Sequence, residues 1–304
     1  MIKHSDDIPA EPVAAGLRVP DFFLVGAARS GTTSLFHYLV QHPCLCMPVK
    51  EPQFFSDFPL DHPKDLDGYL ELFAKCPHGI VAGEASTWYL PSRQAPRRIH
   101  ALNRRAKIAM ILRNPIDRAY SHYWLKVRIF AEPLSFEAAL EAEDQRTRDG
   151  WNVGFQYVAT GLYSEQILRY LETFGEEQVR IVLFEDLIRD ANAVCRDFFR
   201  FLGVDPGVPI RTTDIFNASE VYRSRRLART LSRPFPGRRL IKRMLPKDVK
   251  ELKSHLSRAN ALRPRPMNPD TRTRLAERFK PDIERLQGIL NRDLSHWLTD
   301  SHPR

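Results

Sequence analysis

The chain has 304 residues, 43% of them hydrophobic and 27% charged, with a formal net charge of +9. That is ordinary globular composition, enough for one large α/β domain or two small ones with a sizeable core. No apolar run is long enough to span a bilayer, and Met1 to Ala10 carries acids and a proline rather than a secretory leader, so the expected location is the cytoplasm.

Residues 1–20 read as a flexible tail, and residues 21–304 as one domain. The apolar strand Phe22-Phe23-Leu24-Val25 runs into Gly26-Ala27-Ala28-Arg29-Ser30-Gly31-Thr32-Thr33-Ser34. A strand, a loop with two glycines and a hydroxyl-rich helix start together make a phosphate cradle, in which backbone N–H groups and a helix N-terminus face an anion. The spacing nearly reproduces the triphosphatase loop G-x-x-x-x-G-K-[ST]. Thr32 stands where that loop needs its lysine, and a cation comes earlier, at Arg29. The segment therefore suits a nucleotide phosphate, but not the magnesium-assisted splitting of a triphosphate.

The first helix is predicted from Thr32 to about Val40, and Pro43 ends it. Cys44 to Phe55 holds a short apolar piece and then Lys50-Glu51-Pro52-Gln53-Phe54-Phe55. Residues 56–78 read as loop and short helix. Ile80–Glu84, Lys107–Leu112 and Val179–Phe184 read as further core strands, being apolar runs bounded by breakers. A helix starts at Pro115, where a proline's missing N–H costs nothing, and helical patterns cover Tyr163–Phe174 and Ala191–Leu202. Strands alternating with helices predict a parallel sheet covered on both faces. The strand rhythm stops at Pro206, and residues 206–265 are a candidate mobile region that covers a ligand. A long helix is predicted from about Asp270 to Leu290.

The positive charge favours anionic partners: a nucleotide cofactor, an acidic acceptor or nucleic acid. Part of it lies in the run from Arg223 to Arg243, which is either a solvated helix face or an anion-facing surface. Cys44, Cys46, Cys76 and Cys195 form no metal-ligand spacing and are read as buried, reduced thiols. No motif present requires a metal.

A second element is Arg113-Asn114-Pro115 through Ser121 and His122. Arg113 lies where a parallel strand ends, the position at which open α/β sheets bind ligands. Ser121 lies two helical turns into the next helix, so the pair suits a second, separate phosphate. Arg118 is expected to form a structural ion pair, and His122 to be a satisfied helix histidine. Trp88 is equally readable as core or as a platform for an acceptor.

In combination these elements resemble the sulfotransferases that use 3'-phosphoadenosine 5'-phosphosulfate. The resemblance continues through Gly161-Leu162-Tyr163, Leu183-Phe184-Glu185-Asp186-Leu187 and Arg292-Asp293-Leu294-Ser295-His296-Trp297, and so covers roughly residues 20 to 300. It implies a single α/β domain with a central parallel sheet flanked by helices, similar to nucleotide-kinase folds. It implies that Ala28, Arg29, Ser30, Gly31, Thr32, Thr33 and Ser34 grip the 5'-phosphosulfate, and that Arg113 and Ser121 grip the 3'-phosphate. Arg223, in a basic loop that closes over the nucleotide in related enzymes, joins them. Carbohydrate-type members use a glutamate shortly after the first helix as base, which here is Glu51; small-molecule members use a histidine after the second strand, and Glu84-Ala85-Ser86-Thr87-Trp88-Tyr89 contains none. Arg29, often lysine in the family, would stabilise the departing bridging oxygen electrostatically, with Lys50 as a mobile cation beside it.

The implied reaction moves a sulfuryl group to a hydroxyl, less readily an amine, of a carbohydrate, lipid, natural product or peptide, releasing adenosine 3',5'-bisphosphate. No nucleic-acid partner is expected, and peripheral membrane contact has no support in the sequence. The competing readings are a small-molecule kinase, for which Asp186 after a strand would serve magnesium, and a non-catalytic polyanion binder using the arginine run.

Overall fold

The computed structural model describes residues 17–58, 63, 65–213, 221–222, 261–262 and 265–299. In chain order these form β1 (Phe22–Gly26), α1 (Thr32–Leu39), β2 (Leu45–Cys46), α2 (Leu66–Leu70), β3 (Val81–Ala85), α3 (Ala95–Leu102), β4 (Lys107–Leu112) and α4 (Pro115–Arg128). There follow α5 (Phe136–Glu141), α6 (Glu143–Arg148), α7 (Tyr163–Phe174), β5 (Val179–Leu183), α8 (Phe184–Arg189), α9 (Ala191–Leu202), β6 (Val221–Tyr222), β7 (Ala261–Leu262) and α10 (Pro269–Leu290).

Strands one to five make a parallel sheet in the order β2-β3-β1-β4-β5. From β1 the chain runs to the edge strand β2, returns to β3 beside β1, and then crosses to β4 and β5 on the other side. The carboxyl ends of β3, β1 and β4 thus lie side by side where the direction of winding changes, which opens a crevice at that edge. The alternation of side chains sets the two faces. Phe23, Val25, Ile108, Met110 and Leu112 pack on one face with α3, α4, α7 and α10. Phe22, Leu24, Ala109 and Ile111 pack on the other with α1 and α9. Strands covered on both sides carry apolar residues at almost every position, which is why they were legible as continuous runs.

Helix ends follow local chemistry. Asn114 caps α4 by accepting from the Ile116 amide at 3.0 Å, with Pro115 in the first turn. Asp190 caps α9 through the Ala193 amide at 2.8 Å. The start of α7 is capped from a distance. Asp282 on α10 accepts from the Tyr163 amide at 2.7 Å, the Ser164 amide at 3.1 Å and the Ser164 hydroxyl at 2.5 Å. The same helix buries Leu275, Phe279, Ile283 and Leu286, one face of the helical period.

Several expectations are corrected. Cys46 and Cys76 are joined in a disulfide, with Cα atoms 5.7 Å apart, and Cys44 is exposed; only Cys195 fits the reading of a buried thiol. Pairing of β2 with β3 creates that proximity across 30 residues of sequence, which no local spacing announces. The strand expected over Val179–Phe184, β5, stops at Leu183, and Phe184 opens α8 directly. Leu17 and Val19 already pack against the core. Residues 1–16, Arg223 and all but short pieces of 206–265 lie outside the described residues. Of that region, β6 and β7 form an antiparallel pair, Val221 opposite Leu262.

Asp282→Ala is expected to lower unfolding free energy by about 1–3 kcal/mol, because it orphans buried amides at the start of α7. Urea denaturation followed by circular dichroism measures this, and Asp282→Asn should lose less.

Candidate active site

The crevice at the carboxyl edge is an open cleft of about 390 Å³. Three segments supply its walls: the loop after β1 with the first turn of α1, the loop from Lys50 to Gln53 with the turn after β3, and one face of α4.

The first wall is built around Gly31, the N-cap of α1, with φ at +91°. A side chain there would meet the Phe184 ring at 2.8 Å, so glycine is demanded by both backbone and space. The amides of the first turn, Thr32 to Ser34, mark the positive end of the helix. Ala28, Arg29, Thr32 and Thr33 line the cleft, whereas Ser30 and Ser34 are buried in the packing beneath it. Arg29 is held in the left-handed region at φ +70°, a conformation that costs a non-glycine residue energy and persists only when its surroundings fix it. Its Nε donates to Ser121 Oγ at 3.1 Å.

The α4 wall starts where β4 ends. The Arg113 guanidinium lies 4.9 Å from the centre of the Phe184 ring and donates to the Arg29 carbonyl at 3.3 Å. Tyr163 donates its hydroxyl to the Arg113 carbonyl at 3.0 Å, and Asn114 Nδ2 reaches the Trp297 carbonyl at 2.9 Å. Arg113 and Ser121, separate in sequence from the β1 loop, are both brought against Arg29. Cations accumulate here. Burial, then the charges of Arg128, Arg113 and Arg118, bring Arg29 down to about 10. Burial also lowers Arg113 and Arg118. Crowded guanidinium groups beside the positive end of a helix fit a multiply charged anion, which would relieve their mutual repulsion.

Arg118 does not form the expected ion pair. It is fully buried, and its donors reach the Tyr157 carbonyl and His122 Nδ1. His122 lines the cleft, with its ring 5.5 Å from that of Trp88. Burial and the neighbouring Arg118, Lys126 and Arg29 hold it neutral, well below the usual imidazole range. With Nδ1 facing a guanidinium N–H, its proton resides on Nε2. Trp88 resolves toward the cleft: it is half-buried and lines the wall.

The third wall carries Glu51. Its amide donates to the Ala85 carbonyl at 2.7 Å, which strings the loop along the end of β3. Glu51 and Gln53 are both left-handed, at φ +61° and +58°. The Glu51 carboxylate accepts from Lys50 Nζ at 2.9 Å, from the Thr87 amide at 3.0 Å, from the Thr87 hydroxyl at 3.1 Å and from Gln53 Nε2. Lys50, Glu51, Gln53 and Thr87 all line the same cleft as Arg29. Glu84 does not. It is completely buried below the floor, where Tyr69, Tyr89 and Ser86 donate to it.

Sequence reasoning assigned no role to Gln53, Leu125 or Arg128. The last two follow Ser121 and His122 at the helical period on α4, a signal that was available. Gln53 stood inside a quoted motif, but its approach to Glu51 depends on a left-handed turn that the sequence does not display. Asp186, the magnesium candidate of the kinase reading, is bound by Arg292 and Arg189.

A family profile described as "Sulfotransferase domain" matches residues 19–226. The bifunctional heparan sulfate N-deacetylase/N-sulfotransferase 2 of Homo sapiens is 29% identical over 199 residues, 62% of this chain and 22% of that protein. The chain thus spans less than a quarter of the length of that relative. The heparan sulfate glucosamine 3-O-sulfotransferase 6 of Homo sapiens is 28% identical over 235 residues, covering 76% of this chain and 66% of that one. The crystal structure of a sulfotransferase from Alicyclobacillus acidocaldarius superposes with a TM-score of 0.74 at 34% identity, over 93% of this chain and all of its own. With a profile that covers most of the chain and a solved homologue that matches almost all of it, the protein belongs to the sulfotransferase domain family.

Proposed function

We propose that this chain transfers a sulfuryl group from 3'-phosphoadenosine 5'-phosphosulfate to a hydroxyl, less readily an amine, of a carbohydrate-like acceptor. The observation that carries the reading is one cleft with two chemically opposite walls. A cationic cradle of helix amides and arginines faces a loop that presents a carboxylate. Curated relatives named for heparan sulfate support a glycan acceptor.

In this reading the amides and hydroxyls from Ala28 to Ser34 hold the 5'-phosphosulfate. Arg113 and Ser121 hold the 3'-phosphate and distinguish this donor from ATP. Glu51 takes the proton from the acceptor oxygen as that oxygen attacks sulfur in line. Arg29 stabilises the charge that develops on the bridging oxygen; it remains protonated at neutral pH and acts as a fixed charge rather than an acid. Lys50, paired with Glu51, neutralises the base before the acceptor arrives and is a poorer candidate than Arg29 for the leaving group. Arg223 keeps its proposed part in closing over the nucleotide. No step assigned to these residues requires a metal. The cytoplasmic location also stands as a proposal; no described helix is long and apolar enough to cross a membrane.

Incubation with the labelled donor and a panel of acceptors, read by mass spectrometry for the gain of one sulfuryl unit, tests the activity; no product with any glycan, while the nucleotide binds, would remove the glycan reading. Glu51→Gln should cut turnover by about 10²-fold or more, the scale of a lost general base, with binding of adenosine 3',5'-bisphosphate nearly unchanged by calorimetry. Arg113→Ala should weaken adenosine 3',5'-bisphosphate by about 10- to 100-fold, as loss of a charged hydrogen-bond donor does, and leave adenosine 5'-phosphate almost unaffected. Equal losses for both nucleotides would move the 3'-phosphate site elsewhere.

A further inference from the structure

We propose that Glu84, which never reaches the cleft, is the positioning residue for Glu51: it fixes the loop that carries the base through three hydroxyl groups. The inference rests on the assignment of Glu51 as base.

The geometry forms one continuous framework. Ser86 Oγ donates to Glu84 Oε2 at 2.6 Å and accepts from the Gln53 amide at 3.1 Å. Tyr89 donates to Glu84 Oε1 at 2.9 Å, and its hydroxyl lies 3.4 Å from the Phe55 amide. Tyr69 donates to the same Oε1 at 2.7 Å, and its ring stacks on Phe54 at 4.8 Å. Gln53, Phe54 and Phe55 are thus each seated on a group that Glu84 orients. Gln53 in turn donates to Glu51, and Ser86 directly precedes Thr87, whose amide and hydroxyl hold the Glu51 carboxylate. The left-handed conformations of Glu51 and Gln53 need such an anchor, because neither is favoured locally. A hydrophobic residue at position 84 could not accept the three hydroxyl protons.

The framework has a polarity. Ionised Glu84 only accepts, so Ser86 can donate downward and keep a lone pair for Gln53. Protonation at Oε2 would turn that contact around and leave the Ser86 proton without its acceptor. The titratable groups facing Glu84 are Tyr69 from α2, Tyr89 beyond β3, Tyr170 from α7 and Glu51. Burial first, and then the Glu51 charge, push the Glu84 carboxyl up to about 7, against the hydroxyls that favour its ionised form. The accepting form therefore dominates above that pH, and the turned-around form below it.

Glu84→Gln puts a donating NH2 where one carboxylate oxygen accepts, so either Ser86 or the two tyrosines lose their acceptor. The substitution should reduce kcat by about 10- to 100-fold, the range seen when a group that orients a functional ligand is lost, with the affinity for adenosine 3',5'-bisphosphate unchanged. The kcat profile should fall as pH drops through about 7 in the native protein, and should lose that limb in Glu84→Gln. On a Glu51→Gln background the same substitution should add nothing, because it acts through Glu51. Ser86→Ala and Tyr89→Phe should each give a smaller fall in kcat, and they decide the matter if Glu84→Gln shows no cooperative melt. Native kcat and native pH profiles in these variants, or losses that add to that of Glu51→Gln, would overturn the proposal. Full activity in Glu51→Gln itself would instead remove the base assignment on which it stands.

Discussion

Positive charge concentrated at one sheet edge is the constraint around which the molecule is organised. Arg29, Arg113 and Arg118 are each buried enough to lose part of their hydration, and each lies within the field of the others. Such an arrangement is unfavourable in isolation. It is tolerated because the sheet order places the exits of β1 and β4 next to each other, and because every guanidinium has a fixed partner. Arg29 reaches Ser121, Arg113 reaches the Arg29 carbonyl and the Phe184 face, and Arg118 reaches the Tyr157 carbonyl and His122. These partners are a hydroxyl, two carbonyls, an aromatic face and a neutral imidazole, so they add no negative charge to the cradle.

The opposite wall solves a complementary problem. A carboxylate facing cations across an open cleft would be drawn into an ion pair with whichever reached it first. Glu51 is instead held on its own side by Thr87, Gln53 and Lys50, on a loop hydrogen-bonded along the end of β3. Both walls use non-glycine residues in the left-handed region, Arg29 on one side and Glu51 with Gln53 on the other. The other described non-glycine residues in that region, Phe130 and Asn291, lie just past the ends of α4 and α10, where helices commonly stop in this conformation.

What could be read in the sequence was what is encoded locally. β4 begins at Lys107 and ends at Leu112, and α7 and α9 keep their predicted ends, because apolar period, breakers and caps act within a few residues. The nearness of Arg113 and Ser121 to the β1 loop was inferable only through the rule that ligands gather at the carboxyl ends of parallel strands. What escaped was set by tertiary contact. The Cys46–Cys76 bridge arises from β2 lying beside β3. Phe184 reads as the last residue of a strand, yet it starts α8, where its ring underlies Arg113 and crowds Gly31. Arg118 looked like half of an ion pair because a buried arginine usually needs a carboxylate, but a carbonyl and a neutral imidazole serve here. Glu84, at the carboxyl end of its strand, reads as a residue lining the acceptor side or the crevice floor, yet it is buried where three hydroxyls converge on it.

The arrangement of protons follows from these environments and restricts the chemistry the cleft can perform. Among the described residues that line it, Arg29, Arg128 and Lys50 are cations, His122 is held neutral, and Glu51 is the carboxylate. Arg29 retains its proton at neutral pH even after its fall to about 10, so it offers the cleft a fixed charge rather than an acid. Departure of a phosphate oxygen from sulfur does not demand an acid: the leaving group is already a stable anion, and what it needs is fixed positive charge. Removal of a proton from an incoming hydroxyl is the complementary requirement, and it is the part proposed for Glu51. In the proposed reading, a carboxylate facing fixed cations and a neutral histidine is matched to displacement at a group whose leaving partner is an anion.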